Sequence, residues 1–236
     1  LINVFFINGF IDGLVSIYFI FSAYLLFNIF IELEGNNLKI LNLFCFLTML
    51  SLLKNEGILI ILILFFSVLL INFLEKKLFS NIKLKIIMFL SLIPVLFWKY
   101  LTIKNQIIPF HFQNKVRNNL TESIYNSETF FTKFQSIDTY RIIFDYFITS
   151  YSLIISLIFF LFTIYITKNN KITIFVITIS LIYIISILAV NMLSPMNFEW
   201  GISASIQRVL FMPLSYMFIF FSFYGLSKNQ FIERYF

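Results

Sequence analysis

Five charged residues stand where long apolar runs of the sequence end, and their types suit chemistry on a phosphate-linked group. Three are carboxylates, Asp12, Glu56 and Glu199, and two are cations, Lys54 and Arg208. A cation can hold a phosphate while a neighbouring carboxylate acts as a general base. Ionisable groups at membrane depth are costly, and they usually face a cavity or pair with one another. These five residues are therefore the candidate site, if the fold brings them to one side.

Each of these residues also has a plain structural role open to it. Asp12 in "NGFIDGLVS" fits an N-cap before a long helix. Lys54 and Glu56 can satisfy a tight turn, with Glu56 favoured near the positive N-terminus of the next helix. Arg208 can be an anchor whose long side chain reaches the headgroups, and Glu199 can simply lie in the interface. The sequence leaves both interpretations open for every one of them.

The composition indicates a membrane protein. The 236 residues are 60% hydrophobic and only 12% charged, and the mean hydropathy is +0.94. A soluble domain is roughly 45–50% apolar and about 25% charged. The net charge of +6 comes without a basic stripe that carries stacking residues, so we expect membrane lipids and no nucleic acid as partners. No group of Cys, His and acidic residues has metal-ligand spacing, so we expect no protein metal site.

The apolar runs predict membrane-spanning helices. About 20 mostly apolar residues are needed to cross the hydrocarbon, and the runs are continuously apolar rather than alternating. Six runs fit, and a seventh is shorter: Leu14–Ile31, Ile58–Leu74, Ile86–Ile103, Phe147–Ile166, Ile172–Leu193 and Val209–Leu226, with Leu38–Leu53 as the short one. We therefore predict an all-α, polytopic transmembrane bundle of about seven helices, a single domain over residues 1–236.

Residues 104–145 form the one long polar stretch, which we predict to be an extramembranous loop, with a short amphipathic helix on the membrane surface as a further option. Lysine and arginine in the tight turns favour a topology with Asp12 outside. All five candidate residues then lie at helix ends on the face that carries the loop. Residues 1–11 look like the end of an earlier helix or an interfacial segment. Because the chain opens on Leu1 in apolar sequence, we expect it to be the C-terminal portion of a longer protein.

Four stretches, in one order over residues 5–222, resemble bacterial membrane glycosyltransferases of the GT-C type. "FIDGLVSIYFIFSAYLLFNIFIE" is similar to a family helix that begins with a Tyr-Ala-Asp-like motif, and "LTMLSLLKNEGILIILILF" to the family's Leu-Thr-Lys-Asn-Glu-Gly turn. "LIPVLFWKYL" resembles the helix that follows, and "FEWGISASIQRVLFMPLSYMFIF" resembles a Trp-x-x-x-x-Ser-x-x-Arg segment. The relatives are protein O-mannosyltransferase-like and aminoarabinose-transferase-like enzymes.

The resemblance implies transfer of a sugar from a polyprenyl-phosphate carrier to a lipid or glycan acceptor hydroxyl, at the periplasmic face of a cell inner membrane. It makes Asp12 the catalytic carboxylate and places Lys54, Glu56 and Arg208 at the carrier phosphate, with Glu199 on the rim. The family's leading carboxylate lies in a first outer loop that has no counterpart here, so we expect this fragment alone to be inactive. Some relatives use a divalent cation at the acidic pair, and that alternative stays open.

Two other classes of protein would explain the same helices. One is a polytopic transporter or flippase of lipid-linked sugars, and the other is a membrane assembly subunit without chemistry of its own. Transporters typically carry polar or ionisable groups at mid-membrane depth and often an internal repeat. Here the charges lie at helix ends, which favours the enzyme.

Overall fold

The computed structural model of the chain describes residues 2–31, 36–53, 55–74, 82–105, 127–149, 151–167, 170–193, 199, 203, 209 and 212–228. Its regular elements are helices, and no strand occurs in these ranges. The all-α prediction is therefore confirmed for the part of the chain that the structure describes.

The helices follow the apolar runs closely. In chain order they are α1 (Ile2–Leu26, continued by a π-helical segment, Phe27–Ile31), α2 (Asn37–Leu53), α3 (Asn55–Leu74), α4 (Ile82–Lys104), α5 (Ser127–Gln135), α6 (Ile137–Thr149), α7 (Tyr151–Thr167), α8 (Asn170–Leu193) and α9 (Met212–Lys228). Most consist largely of Leu, Ile and Phe. A helix satisfies its own backbone hydrogen bonds, which is what a segment in hydrocarbon requires.

Two helical stretches in the described ranges are long and apolar enough to cross a membrane, Ile11–Ile31 and Lys171–Leu193. Four others are apolar but shorter: Asn37–Leu53, Gly57–Phe73, Ile86–Thr102 and Pro213–Ser227. The two long stretches indicate that the chain associates with a membrane.

Aromatic rings join α1 to α8 and α9 and fix the directions of these helices. Phe19 stacks on Tyr183 with ring centroids 5.5 Å apart, and Phe27 contacts Phe175 at 5.3 Å, so α1 and α8 are antiparallel. Tyr24 meets Phe220 at 5.3 Å, and one turn later in each helix Asn28 accepts a hydrogen bond from Tyr224. Helices α1 and α9 are therefore parallel.

Hydroxyl pairs join α7 to α9. Ser156 lies against Ser215, and Thr163 Oγ1 is 2.7 Å from Ser222 Oγ. Both helices advance seven residues between the two pairs, so α7 and α9 run in the same direction. Three helices, α1, α7 and α9, thus point one way, and α8 points the other.

The structure corrects two sequence predictions about boundaries. Helix α1 begins at Ile2, so the interpretation of residues 1–11 as a separate segment is wrong for residues 2–11. The run Phe147–Ile166 is not one helix, because Phe147 belongs to α6 and α7 begins only at Tyr151. The stretches Ile137–Thr149 and Ile154–Tyr165 meet at 75°. The sequence there reads Thr-Ser-Tyr-Ser over residues 149–152, and this cluster of hydroxyl residues was the readable sign of a break.

The predicted loop, residues 104–145, contains more regular structure than the one short helix considered for it. Its first residue, Lys104, ends α4, and all of α5 and most of α6 lie within it. Residues 106–126 lie outside the described ranges.

Candidate functional site

The turn between α2 and α3 is built around a close backbone contact. Helix α2 ends at Leu53 and α3 begins at Asn55. A Cβ atom on Gly57 would lie 1.8 Å from the carbonyl oxygen of Leu50. The first turn of α3 therefore lies directly on the last turns of α2, and only glycine fits there. This requirement explains the glycine of the Lys-Asn-Glu-Gly motif without any ligand.

The structure places the two charged residues of this turn only in part. Lys54 lies outside the described residues. Glu56 is the second residue of α3, and its side chain lies outside the described part. The expectation that both approach a carrier phosphate therefore stays a prediction.

Asp12 lies inside α1, and its side chain is only 6% exposed. The alternative interpretation of Asp12 as an N-cap is wrong, because a cap precedes the first helical residue and α1 begins at Ile2. The backbone carbonyl of Asp12 accepts a hydrogen bond of 2.9 Å from the Ser16 hydroxyl. The structure thus buries an ionisable side chain within a stretch that is apolar enough to cross a membrane.

The antiparallel directions of α1 and α8 give the level of Asp12 along α8. Asp12 precedes Phe19 by seven residues in α1. Because α8 is antiparallel and Phe19 stacks on Tyr183, the residue of α8 at the same level as Asp12 is seven residues after Tyr183, which is Val190. Asp12 is therefore level with the last turn of α8, where Asn191 lies. This end of the bundle, defined by Asp12 and Asn191, is called the Asp12 end below.

Lys133 brings a cation to the Asp12 end. It lies in α5, which packs on α8, and its Nζ is 3.5 Å from the backbone carbonyl of Asn191. That carbonyl is among the last four of α8, which lack partners within the helix and carry the negative end of the helix dipole. Partial burial lowers the pKa of Lys133 below its usual range. The lysine can serve as a C-cap of α8 and can also face an anion.

The candidate site deduced from the sequence did not include Lys133. The available signal was a lysine among the phenylalanines of "SETFFTKFQ", a pattern typical of a short amphipathic helix. Its position depends on the packing of α5 against α8, which the sequence pattern does not specify.

Val209, three residues before α9, contacts α8 through its backbone. Arg208 lies outside the described residues, but its neighbour Val209 accepts a hydrogen bond of 2.5 Å from the Tyr183 hydroxyl through its carbonyl. Tyr183 in turn stacks on Phe19. Asp12 is seven residues from Phe19, or about 10 Å along the helix axis. Glu199 is exposed. Asp12 is thus level with the end of α8 that Lys133 contacts, and it lies about 10 Å along α1 from the level of the Val209 carbonyl.

An open groove of about 470 Å³ runs between α1 and α9. Aromatic and aliphatic side chains line it, among them Ile20, Tyr24, Tyr216, Phe220 and Phe223. Ile20 is eight residues from Asp12, about 12 Å along α1. A groove of this chemistry can hold a hydrocarbon chain.

A second buried polar group lies in the other half of α1. Asn28 is almost fully buried in the π-helical segment, and its Oδ1 accepts a 2.7 Å hydrogen bond from the Tyr224 hydroxyl. Asn28 is not among the candidate residues deduced from the sequence, although an asparagine in an apolar run was a readable signal. π-Helical segments are rare and frequently occur at functional sites.

Within the described ranges, no three His, Cys, Asp or Glu side chains come together as metal ligands. No protein-family model, no curated protein sequence and no solved structure matches this chain.

Proposed function

We propose that this chain belongs to a membrane glycosyltransferase that moves a sugar from a polyprenyl-phosphate carrier to an acceptor hydroxyl at the periplasmic face. The observation that carries the proposal is the position of Asp12. A carboxylate is costly inside an apolar bundle, and ionisable residues in membrane segments usually mark substrate pathways or catalytic positions.

In the proposed reaction Asp12 accepts the proton of the acceptor hydroxyl as that oxygen attacks the anomeric carbon of the sugar. The bond between this carbon and the phosphate oxygen breaks, and the phosphate leaves with its electron pair on the carrier. Cations at the Asp12 end stabilise the departing phosphate. We assign that role to Lys54 and Arg208, with Glu56 beside them and Glu199 at the rim.

Helix directions support a multi-pass arrangement in a cell inner membrane. We propose that α1, α2, α3, α4, α7, α8 and α9 cross in turn, which makes seven crossings. Alternating crossings require the first, fifth and seventh helices to be parallel and the sixth to be opposite. Helices α1, α7 and α9 are parallel and α8 is antiparallel to α1, as this order requires.

The groove between α1 and α9 supports a lipid-linked donor. It starts about 12 Å along α1 from Asp12 and is lined by apolar side chains. A carrier whose phosphate lies at the Asp12 end can lay its hydrocarbon chain there. A divalent cation stays an open alternative in the proposal, because only some members of the family that this chain resembles use one.

The alternative is a transporter or flippase of lipid-linked sugars, and one observation favours it. Helix α1 carries buried polar groups in both halves, Asp12 and Asn28, and the second lies in the π-helical segment. Polar groups along the length of a membrane helix, together with irregular helix geometry, are typical of transport pathways.

The test replaces Asp12 with asparagine in the full-length protein, reconstituted in vesicles with a labelled polyprenyl-phosphate sugar. Asp12→Asn keeps the size of the side chain and removes the base, so we expect transfer to fall about a hundredfold or more. Amounts inserted in the membrane should stay equal.

Asp138→Asn is the matched control, because Asp138 is exposed on α6, and it should leave transfer unchanged. Unaltered transfer by Asp12→Asn would remove Asp12 from the mechanism. Movement of the labelled carrier between leaflets without any transfer product would favour the flippase.

A further inference from the structure

Helix α6 has three faces, where an ordinary surface helix has two. One face packs against the bundle, with Thr139 buried and four hydrophobic side chains packed against the core: Ile142, Ile143, Tyr146 and Phe147. This face accounts for the attachment of α6 to the rest of the molecule. It leaves the other two faces uncovered.

The second face is an exposed apolar stripe, defined here as Ile137, Tyr140, Phe144 and Ile148. Their spacings of three, four and four residues place them in one row along the helix. Ile137 is 83% exposed and Phe144 is 63% exposed. The Tyr140 hydroxyl donates a 2.7 Å hydrogen bond to the carbonyl of Phe134 in α5, which fixes the angle between the two helices.

The third face is an exposed charged stripe, defined as Asp138, Arg141 and Asp145. At about 100° per residue, this stripe lies roughly a quarter turn from the apolar stripe. A charged row beside an apolar row is the pattern of a helix at a boundary between water and hydrocarbon.

The angle between α6 and α7 determines how α6 lies relative to a membrane that α7 crosses. The two helices meet at 75°, so if α7 crosses a membrane, α6 lies nearly in its plane. Ile148 at the end of α6 and Ile154, Ile155 and Ile158 of α7 are exposed hydrophobic side chains as well. Both helices thus present exposed apolar side chains on either side of the bend.

We propose that α6 lies in the membrane interface, with its apolar stripe in the boundary between lipid headgroups and acyl chains and its charged stripe in water. Phe131 and Phe134 of α5 are exposed too and extend the same contact. This contact fixes the level of α5, and with it Lys133, near the headgroup phosphates. The inference depends on α7 crossing the membrane and is independent of the sugar-transfer reaction.

The experiment measures the depth of single spin labels on the full-length protein in phospholipid vesicles. The native thiol, Cys45, is first removed by Cys45→Ser. Labels are then attached at Ile137→Cys and Phe144→Cys on the apolar stripe, and at Asp138→Cys and Asp145→Cys on the charged stripe as matched controls. All four positions are exposed, so the labels disturb no packing.

We expect the stripe labels to collide with oxygen several-fold more than with a water-soluble nickel chelate, at depths of about 5–10 Å. The two control labels should show the opposite preference. Equal nickel access at Phe144 and Asp145 would overturn the proposal. Shielding of the stripe labels from both reagents would overturn it too, because it would indicate a second copy or another protein on this face.

Discussion

Helix α9 contacts α7 and α1 through two interfaces that differ in their contacts. Toward α7 it presents serines, and Thr163 of α7 lies 2.7 Å from Ser222 Oγ and 2.9 Å from the carbonyl of Phe218. Toward α1 it presents rings, with Tyr24 5.3 Å from Phe220 and 5.2 Å from Tyr224. The first interface combines hydroxyl contacts with one ring contact, Phe160 with Phe218 at 5.2 Å, and the second is made mainly by rings and has the groove beside it.

The difference follows from what holds helices together in lipid. Hydrocarbon surroundings give no hydrophobic gain for bringing two apolar helices together, so close packing of small residues and hydroxyl contacts carry the association. Rings keep the helix axes farther apart and leave room that a flexible chain can fill. If α7 and α9 lie in a membrane, we expect their interface to be the more rigid of the two.

The turn between α2 and α3 extends this contrast. At Gly57 the two backbones are so close that even a methyl group would overlap Leu50. A second contact from the same region joins α2 to α4, where the Ser51 hydroxyl is 3.2 Å from the carbonyl of Ser91. Interfaces of this kind have no spare volume, whereas the groove has about 470 Å³.

The largest effect should come from adding one carbon where there is no space. Gly57→Ala would normally stabilise a helix by about 0.5–1 kcal/mol. Here the overlap with the Leu50 carbonyl should reverse the sign and cost about 3 kcal/mol of unfolding free energy, measured by denaturation in detergent or bilayer. Leu70→Ala, at an exposed position of the same helix, is the control and should cost far less. A stabilised Gly57→Ala protein would contradict the close contact.

A larger side chain in the groove should leave the stability of the protein unchanged. Ile219→Trp fills space between α1 and α9, so the unfolding temperature should stay unchanged while sugar transfer falls several-fold, because the carrier chain is displaced from its position. Leu157→Trp on the exposed side of α7 should change neither quantity. Unimpaired transfer by Ile219→Trp would separate the groove from the donor, and a large loss of stability would show that the groove has no room.

The smallest effect should come from removing a hydroxyl without changing volume. Thr163→Val takes away the contacts with Ser222 and Phe218, and such contacts in membranes are each worth about 0.6 kcal/mol, with a maximum of about 1.7. A double-mutant cycle with Ser222→Ala measures the coupling between the two side chains. A coupling of zero would mean that shape alone holds α7 against α9.

Much of the fold could be predicted from the sequence, because most of the helices coincide with long apolar runs; α5 and α6 do not. The predicted helix boundaries were wrong where the tertiary structure decides them. The bend before Tyr151 divides a run that was predicted to be one helix, although the hydroxyl residues at 149–152 mark it, and the first residues of α1 join a helix that was predicted to begin later. A hydropathy pattern reports which residues avoid water, and it carries no information about the angle between consecutive helices.

Only part of the candidate site could be predicted from the sequence. Asp12 was recognisable as a carboxylate beside an apolar run, but its place inside α1 decides against the capping role. Lys133 and Asn28 depend on which helices become neighbours, α5 with α8 and α1 with α9, and residue spacing cannot supply that. The roles of Lys54, Glu56, Arg208 and Glu199 stay predictions.

The single residue between α2 and α3 also bears on how the chain is made. Helix α2 ends at Leu53 and α3 begins at Asn55, so no loop is available to hold one helix across a bilayer while the other is still being synthesised. If both helices cross, they must leave the insertion machinery as one hairpin, already joined at Gly57. A nascent chain from which only α2 has left the ribosome would then keep α2 uninserted, and one from which α3 has also emerged would not.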